Sequence, residues 1–117
     1  MFDKLHIFLG ATVADAAARP LHWVYDKKKL NSYIKGKKDI AFFKQNRSPF
    51  YSIKTGEVSG YNDVGQVMFK TLTKTTNQKE IIKLFKKNIV KNFGPGSRYW
   101  KNLSIRKNIK RLNGKQP

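Results

Sequence analysis

Between Gly10 and Asp26 the chain reads GATVADAAARPLHWVYD, and this stretch restricts the fold more than any other. Leu5, Phe8, Leu9, Thr12 and Ala16 recur at the i, i+3, i+4 spacing of one helix face, which predicts a helix from Phe2 to Ala18. Asp3 is placed to cap it. Gly10 and the alanines keep this helix thin, so another segment can approach it closely. Pro20 ends it, because proline has no N–H to donate and biases the preceding Arg19 away from helix. The aromatic run Leu21-His22-Trp23-Val24-Tyr25 follows the break. A single acid, Asp15, sits among the small residues before it.

The remaining segments also read as helices and loops. Asp26 is an N-cap for a short helix over Lys27 to Ile34, stopping at Gly36. Asp39 starts a brief turn. Gln45 to Tyr61 is a long loop punctuated by Pro49, Gly56 and Gly60, and loops of this length inside compact domains are more often functional than idle. Asn62 offers a cap to a helix carrying Val67, Met68, Phe69 and Leu72. Asn77 and Glu80 form a capping-box-like start for the clearest helix, whose apolar face is Ile81, Ile82, Leu84, Phe85, Ile89 and Phe93. Gly94 is its natural C′ residue, and Gly94-Pro95-Gly96-Ser97 makes a turn. Tyr99 to Leu112 reads as a basic amphipathic helix using Leu103, Ile105, Ile109 and Leu112, before a tail from Gly114 to Pro117. With no internal repeat and no strand alternation, the fold class is all-α. Residues 1–98 are expected to form one domain, with 99–117 a basic divergent helix and tail.

Composition narrows the function classes. At 117 residues there is room for one small domain or part of a larger one, with a modest core. The absence of cysteine excludes disulfides and thiolate metal sites. No apolar run approaches a membrane span, so no membrane partner is expected. The N-terminus has the outline of a signal peptide, but His6 and Asp15 interrupt its apolar segment and Lys4 stands alone beside Asp3. It reads as a helix of the mature protein, with the cytoplasm as the expected compartment.

The formal net charge is +18. Such a field attracts phosphate polyanions, which makes nucleic acid a candidate partner. The excess lies outside Met1 to Asp26, which is close to neutral, and in segments also rich in Asn, Ile and Phe. Biased codon usage produces the same pattern.

Several residues carry chemistry on either of two readings. Asp15 is a pocket-floor acid bonding loop amides or a metal-bound water, or else the i, i+4 partner of Arg19 or a helix-end cap. His22 is a general base or ligand, or a hydrogen-bonded packing residue. Trp23, Tyr25, Phe50 and Tyr51 are a stacking surface for adenine, or core and loop anchors. Asp63 is a metal ligand, or an acid favourably placed at a helix N-terminus. Gly94 and Gly96 suggest a phosphate loop only weakly, since a helix stop explains them.

Asp15 with its alanines, PLHWVYD, PFYSIKTG, SGYNDVGQVMFKTL and FGPGSRY, in this order and spacing, resemble the ADP-ribosylglycohydrolase family, its J-crystallin-like and selenoprotein J-like branch in particular. The likeness covers Phe8 to Leu72 and Phe93 to Tyr99. It implies the N-terminal portion of an orthogonal helical bundle considerably longer than this chain. It also implies a pair of divalent metal ions, usually magnesium, and hydrolysis of the glycosidic bond between ADP-ribose and a modified side chain. ADP-ribose or an ADP-ribosylated protein is the partner so implied.

Carried over position by position, the resemblance makes Asp15, His22 and Tyr61 substrate-binding residues, and Asp63 with Asn62 a degenerate metal site. His22 stands where the active enzymes have a glutamate near the metals. Asn62-Asp63-Val64-Gly65 stands at their Thr-Asp-Asp-Thr motif, so Val64 replaces a carboxylate with a side chain that cannot bind metal. The family's aspartate-rich C-terminal segment has no counterpart in these residues. Because hard cations require oxygen ligands, these departures imply that hydrolysis is lost in this chain.

Overall fold

The computed structural model describes residues 3–50 and 54–114. Among them are five α-helices and one 3-10 turn, with no strand. Helix α1 spans Lys4–Ala18, and a 3-10 turn follows over Arg19–Leu21. Helix α2 spans Lys27–Ile34, α3 Gly60–Leu72, α4 Gln78–Phe93 and α5 Leu103–Leu112. The all-α expectation holds. No helix is long and apolar enough to cross a membrane, among the described residues. The chain divides into two compact units, Met1–Ser59 and Gly60–Pro117.

Helix boundaries follow side-chain caps. The Asp3 carboxylate accepts from the Leu5 N–H, and that of Asp26 accepts from Lys28 and Lys29. Each satisfies donors that the first turn of a helix leaves without intrahelical partners. Asn77 caps α4 through the Glu80 N–H at 3.1 Å. The capping box is altered, because the Glu80 side chain accepts from the Thr75 hydroxyl at 2.6 Å, and Thr75 Oγ1 in turn accepts from the Asn77 N–H. Thr75 thus bridges the two groups that would otherwise meet directly.

Helix α1 begins at Lys4, after its Asp3 cap, rather than at Phe2, and three further boundaries differ from the sequence reading. Helix α3 begins at Gly60, two residues before Asn62, so Asn62 and Asp63 lie within its first turn. Helix α5 begins at Leu103 rather than Tyr99, because the Asn102 side chain caps it by accepting from the Ile105 N–H at 2.8 Å. At the end of α4, Gly94 does not take the left-handed C′ conformation, and the positive φ of the following turn falls on Gly96. What Gly94 supplies is space, since a Cβ there would lie 2.4 Å from the Val90 carbonyl oxygen.

In the first unit, among the described residues, α1 is partly covered at Phe8 and Thr12 and most buried toward its C-terminal end. Ala16, Arg19 and Pro20 are buried, whereas Leu5 and Leu9, expected on a buried face, are nearly half exposed. Ile7 and Val13 are also exposed, so the apolar residues are distributed around the helix rather than gathered in one stripe. The polypeptide after α2 folds back onto the end of α1. The Phe42 N–H donates to the Ala17 carbonyl, and those of Arg47 and Ser48 both donate to the Pro20 carbonyl. Carbonyls that the ending helix can no longer pair internally are thereby satisfied.

The second unit is a three-helix arrangement around Val67, Ile89, Phe93 and Ile109. These residues come one or two from each of α3, α4 and α5, so no pair of the helices closes the core alone. Val64, Phe85, Val90 and Ile105 pack against them. Thr71 is fully buried on α3, its hydroxyl donating to the Val67 carbonyl at 2.8 Å and accepting from Asn88 of α4 at 3.3 Å. Gly60, the first residue of α3, lies against Trp100, and a Cβ there would sit 2.8 Å from the indole ring and 3.1 Å from the Trp100 carbonyl oxygen. Gly60→Ala is therefore expected to destabilise this unit by roughly 1–3 kcal/mol, the range for overpacking a filled site. Chemical denaturation followed by tryptophan fluorescence checks it, and unchanged stability would mean that the indole yields without loss.

Candidate functional site

The end of α1 carries three polar side chains within two turns, Asp15, Arg19 and His22, and the structure directs each differently. Asp15 takes one donor on each carboxylate oxygen. The Ser59 N–H donates to Oδ2 and the Ser59 hydroxyl to Oδ1, both at 2.6 Å. Ser59 is fully buried and 44 residues distant in sequence. Hydrogen bonds to an ionised acceptor are short and contribute about twice as much as neutral ones. Asp15 thus bonds a loop amide, one of the partners considered for a pocket-floor acid.

Arg19 lies one helical turn beyond Asp15, where an i, i+4 ion pair was one of the readings. Its guanidinium instead reaches the same loop. Nε donates to the Glu57 carbonyl at 2.6 Å and one terminal nitrogen donates to the Lys54 carbonyl at 2.5 Å. The side chain is fully buried. The planar fork of arginine suits two fixed carbonyls better than the single ammonium of lysine. The Lys54–Glu57 turn closes on itself as well, the Glu57 carboxylate accepting from the Lys54 N–H at 2.8 Å. Glu57 N–H completes the turn by donating to the Lys54 carbonyl.

His22 is half-buried directly after the 3-10 turn, its N–H donating to the Arg19 carbonyl at 3.0 Å. Burial pushes its imidazole below the ordinary value of 6.5. The Asp15 carboxylate opposes that shift, and the Arg19 guanidinium adds to it. Asp15 and His22 thus share one electrostatic neighbourhood. Trp23 follows in the left-handed region at φ 69°, sparsely populated by bulky residues. Its ring meets His22 edge-on at 5.7 Å and Phe50 at 4.6 Å. Trp23 and Phe50 therefore anchor each other. Tyr25 is 83% exposed, and Tyr51 lies outside the described residues.

The other site residues proposed from the sequence, Tyr61, Asn62 and Asp63, are consecutive on the first turn of α3 in the second unit. Positions two apart on a helix do not share a face, and Tyr61 and Asp63 accordingly border different hollows. Tyr61 borders an apolar groove between α3, α4 and α5. Asp63 borders a smaller polar hollow of about 300 Å³ shared with Lys70, Lys74 and Lys91. The Asn62 side-chain oxygen accepts from the Gln66 side-chain amide at 3.1 Å.

Among the described residues no three His, Asp or Glu side chains gather in a way that could hold a metal. Both oxygens of Asp15 already carry short bonds from Ser59. Sequence reasoning missed Ser59 and the destination of Arg19. No periodicity marks either, since each contact joins a helix to a loop more than thirty residues away.

Two outcomes follow. Asp15→Ala and Arg19→Met are each expected to lower stability by roughly 2–4 kcal/mol, because the first leaves the buried Ser59 donors without their acceptor and the second removes two charge-assisted bonds of a fully buried side chain. Urea denaturation measures this, and losses below about 0.5 kcal/mol would show that the loop is held elsewhere. For His22, the folded pKa lies below the unfolded one, so the unfolded state binds the extra proton. Stability is therefore complete above pH 6.5 and falls as the pH drops from there toward the folded pKa. NMR titration should place His22 below 6.5, and His22→Gln should flatten that part of the pH profile. A value at or above 6.5 would contradict the burial described.

Compared with known proteins, the chain is similar to crystallin J1B of Tripedalia cystophora, 33% identical over 91 residues, which are 78% of this chain and 28% of that protein. Crystallin J1A of the same animal is 32% identical over 91 residues, with the same coverage. No family model and no solved structure matches. The chain spans 28% of the length of the curated relatives it matches, and its likeness is to crystallins of the J1 type.

Proposed function

We propose that this chain is a J-crystallin-like, ADP-ribosylglycohydrolase-like helical region in which the acid at the end of α1 holds a loop in place instead of serving metal-dependent hydrolysis. One observation carries this reading: both Asp15 oxygens are engaged by Ser59 at 2.6 Å. A carboxylate so committed positions backbone. Each bond takes one lone pair of its oxygen, and together they fix the loop's amide and hydroxyl against α1.

The similarity to crystallins J1A and J1B supports the lineage, and the residues at the family's motif positions support the loss of chemistry. Val64 stands where the resemblance calls for a carboxylate. His22, where it calls for glutamate, is half-buried and biased toward its neutral form. A neutral imidazole offers one N–H donor and one nitrogen acceptor, and it supplies no anionic ligand for a hard cation.

Thermal denaturation with ADP-ribose and magnesium, separately and together, tests the reading. Neither alone nor the pair is expected to raise the midpoint, since a ligand stabilises only by binding the folded state. A rise that requires both ligands would show a working dinuclear site and overturn the proposal.

A further inference from the structure

The second unit contains an opening that this reading does not use. Between α3, α4 and α5 lies a groove with a volume of about 670 Å³, within the roughly 300–1,000 Å³ of small-molecule sites. Val64, Phe85, Ile105 and Ile109 line it, and the same residues belong to the core of the unit or pack against it. At its mouth Tyr61 and Ile82 are each 49% exposed, and Leu112 is 39% exposed. Large apolar side chains this exposed and this close together mark a surface that takes a partner.

The charge at the groove selects the partner. Among the described residues two cations border it, Lys86 from α4 and Arg111 from α5, and no carboxylate does. Asp63 and Glu80 are the only acidic side chains from Gly60 onward, and neither lies at the groove. The polar lining is otherwise neutral: Asn102, Ser104 and Asn108. An apolar trough edged only by positive charge complements a molecule with an apolar body and an anionic end. A second copy fits poorly, because it would bring another chain of net charge +18 against the same basic face.

We propose that the groove between α3, α4 and α5 binds a fatty-acid-like ligand, its alkyl chain lying over Val64, Phe85 and Ile105 and its carboxylate drawn to Lys86 and Arg111. The length is set by α4. From Ile81 to Ile89 the groove follows eight residues, about 12 Å at 1.5 Å per residue. That accommodates an extended chain of roughly ten carbons, since C–C bonds of about 1.5 Å advance a zigzag chain about 1.25 Å each.

Decanoate, decanol and decyltrimethylammonium, all below their critical micelle concentrations, are the probes. Each is titrated into the full chain while backbone amide resonances are recorded by NMR. Decanoate should shift Ile82, Phe85, Ile105 and Leu112 saturably, with decanol at least about tenfold weaker and the cation weakest. Lys86→Ala and Arg111→Ala should each weaken decanoate roughly three- to tenfold, whereas Lys83→Ala, which removes an exposed charge away from the groove, should not. Ile82→Glu should abolish binding, and its circular dichroism melt should show the fold retained, since that side chain is half exposed. Equal losses in Lys83→Ala and Lys86→Ala would reduce the effect to general charge attraction and overturn the proposal. Shifts centred on α1 and α2, or a concentration-dependent dimer in sedimentation whose formation protects the groove, would overturn it too.

Discussion

The first unit depends on a two-point attachment between the end of α1 and the 54–59 loop. Asp15 accepts from the Ser59 amide and hydroxyl, and one turn later the Arg19 guanidinium donates to the carbonyls of Lys54 and Glu57. One side chain presents only acceptors and the other only donors, so together they satisfy both kinds of backbone group. Unpaired, these groups would be costly to bury. Arg19 and Ser59 are both fully buried, so solvent cannot replace either contact. The small residues before Pro20 let the loop approach, and the Pro20 break frees carbonyls that the 42–48 segment uses.

His22 and Trp23 take their places from this attachment. The chain leaves the 3-10 turn with His22 tied to the Arg19 carbonyl, and Trp23 adopts a positive φ to reach Phe50. Left-handed backbone at a tryptophan costs about 1–2 kcal/mol, and the aromatic contact offsets part of it. The partial burial that lowers the His22 pKa is thus a consequence of how the turn is held.

Local chemistry was legible in the sequence. The caps at Asp3, Asp26 and Asn77 and the stop at Pro20 each act through hydrogen bonds or sterics within a few residues, and the helices begin or end accordingly. Non-local chemistry was not. Whether Asp15 pairs with Arg19 or with a loop depends on Ser59, 44 residues away, and a serine in a loop carries no signal of its own. The start of α5 moved because Asn102, an ordinary polar residue in the pattern, caps more effectively than Tyr99 begins a turn. The exposed leucines of α1 were placed inside by periodicity alone. Periodicity reports which residues share a face, and says nothing of what covers it. The same limit hid the groove of the second unit, whose lining residues read in the sequence simply as the apolar faces of three helices.

The central claim is that Asp15 is bound to Ser59 for stability. A double-mutant cycle with Asp15→Ala, Ser59→Ala and the pair, read by urea denaturation, tests it most directly. The account predicts a coupling of at least about 1 kcal/mol, as for a hydroxyl bonded to a buried carboxylate. Additive losses, with coupling near zero, would contradict it.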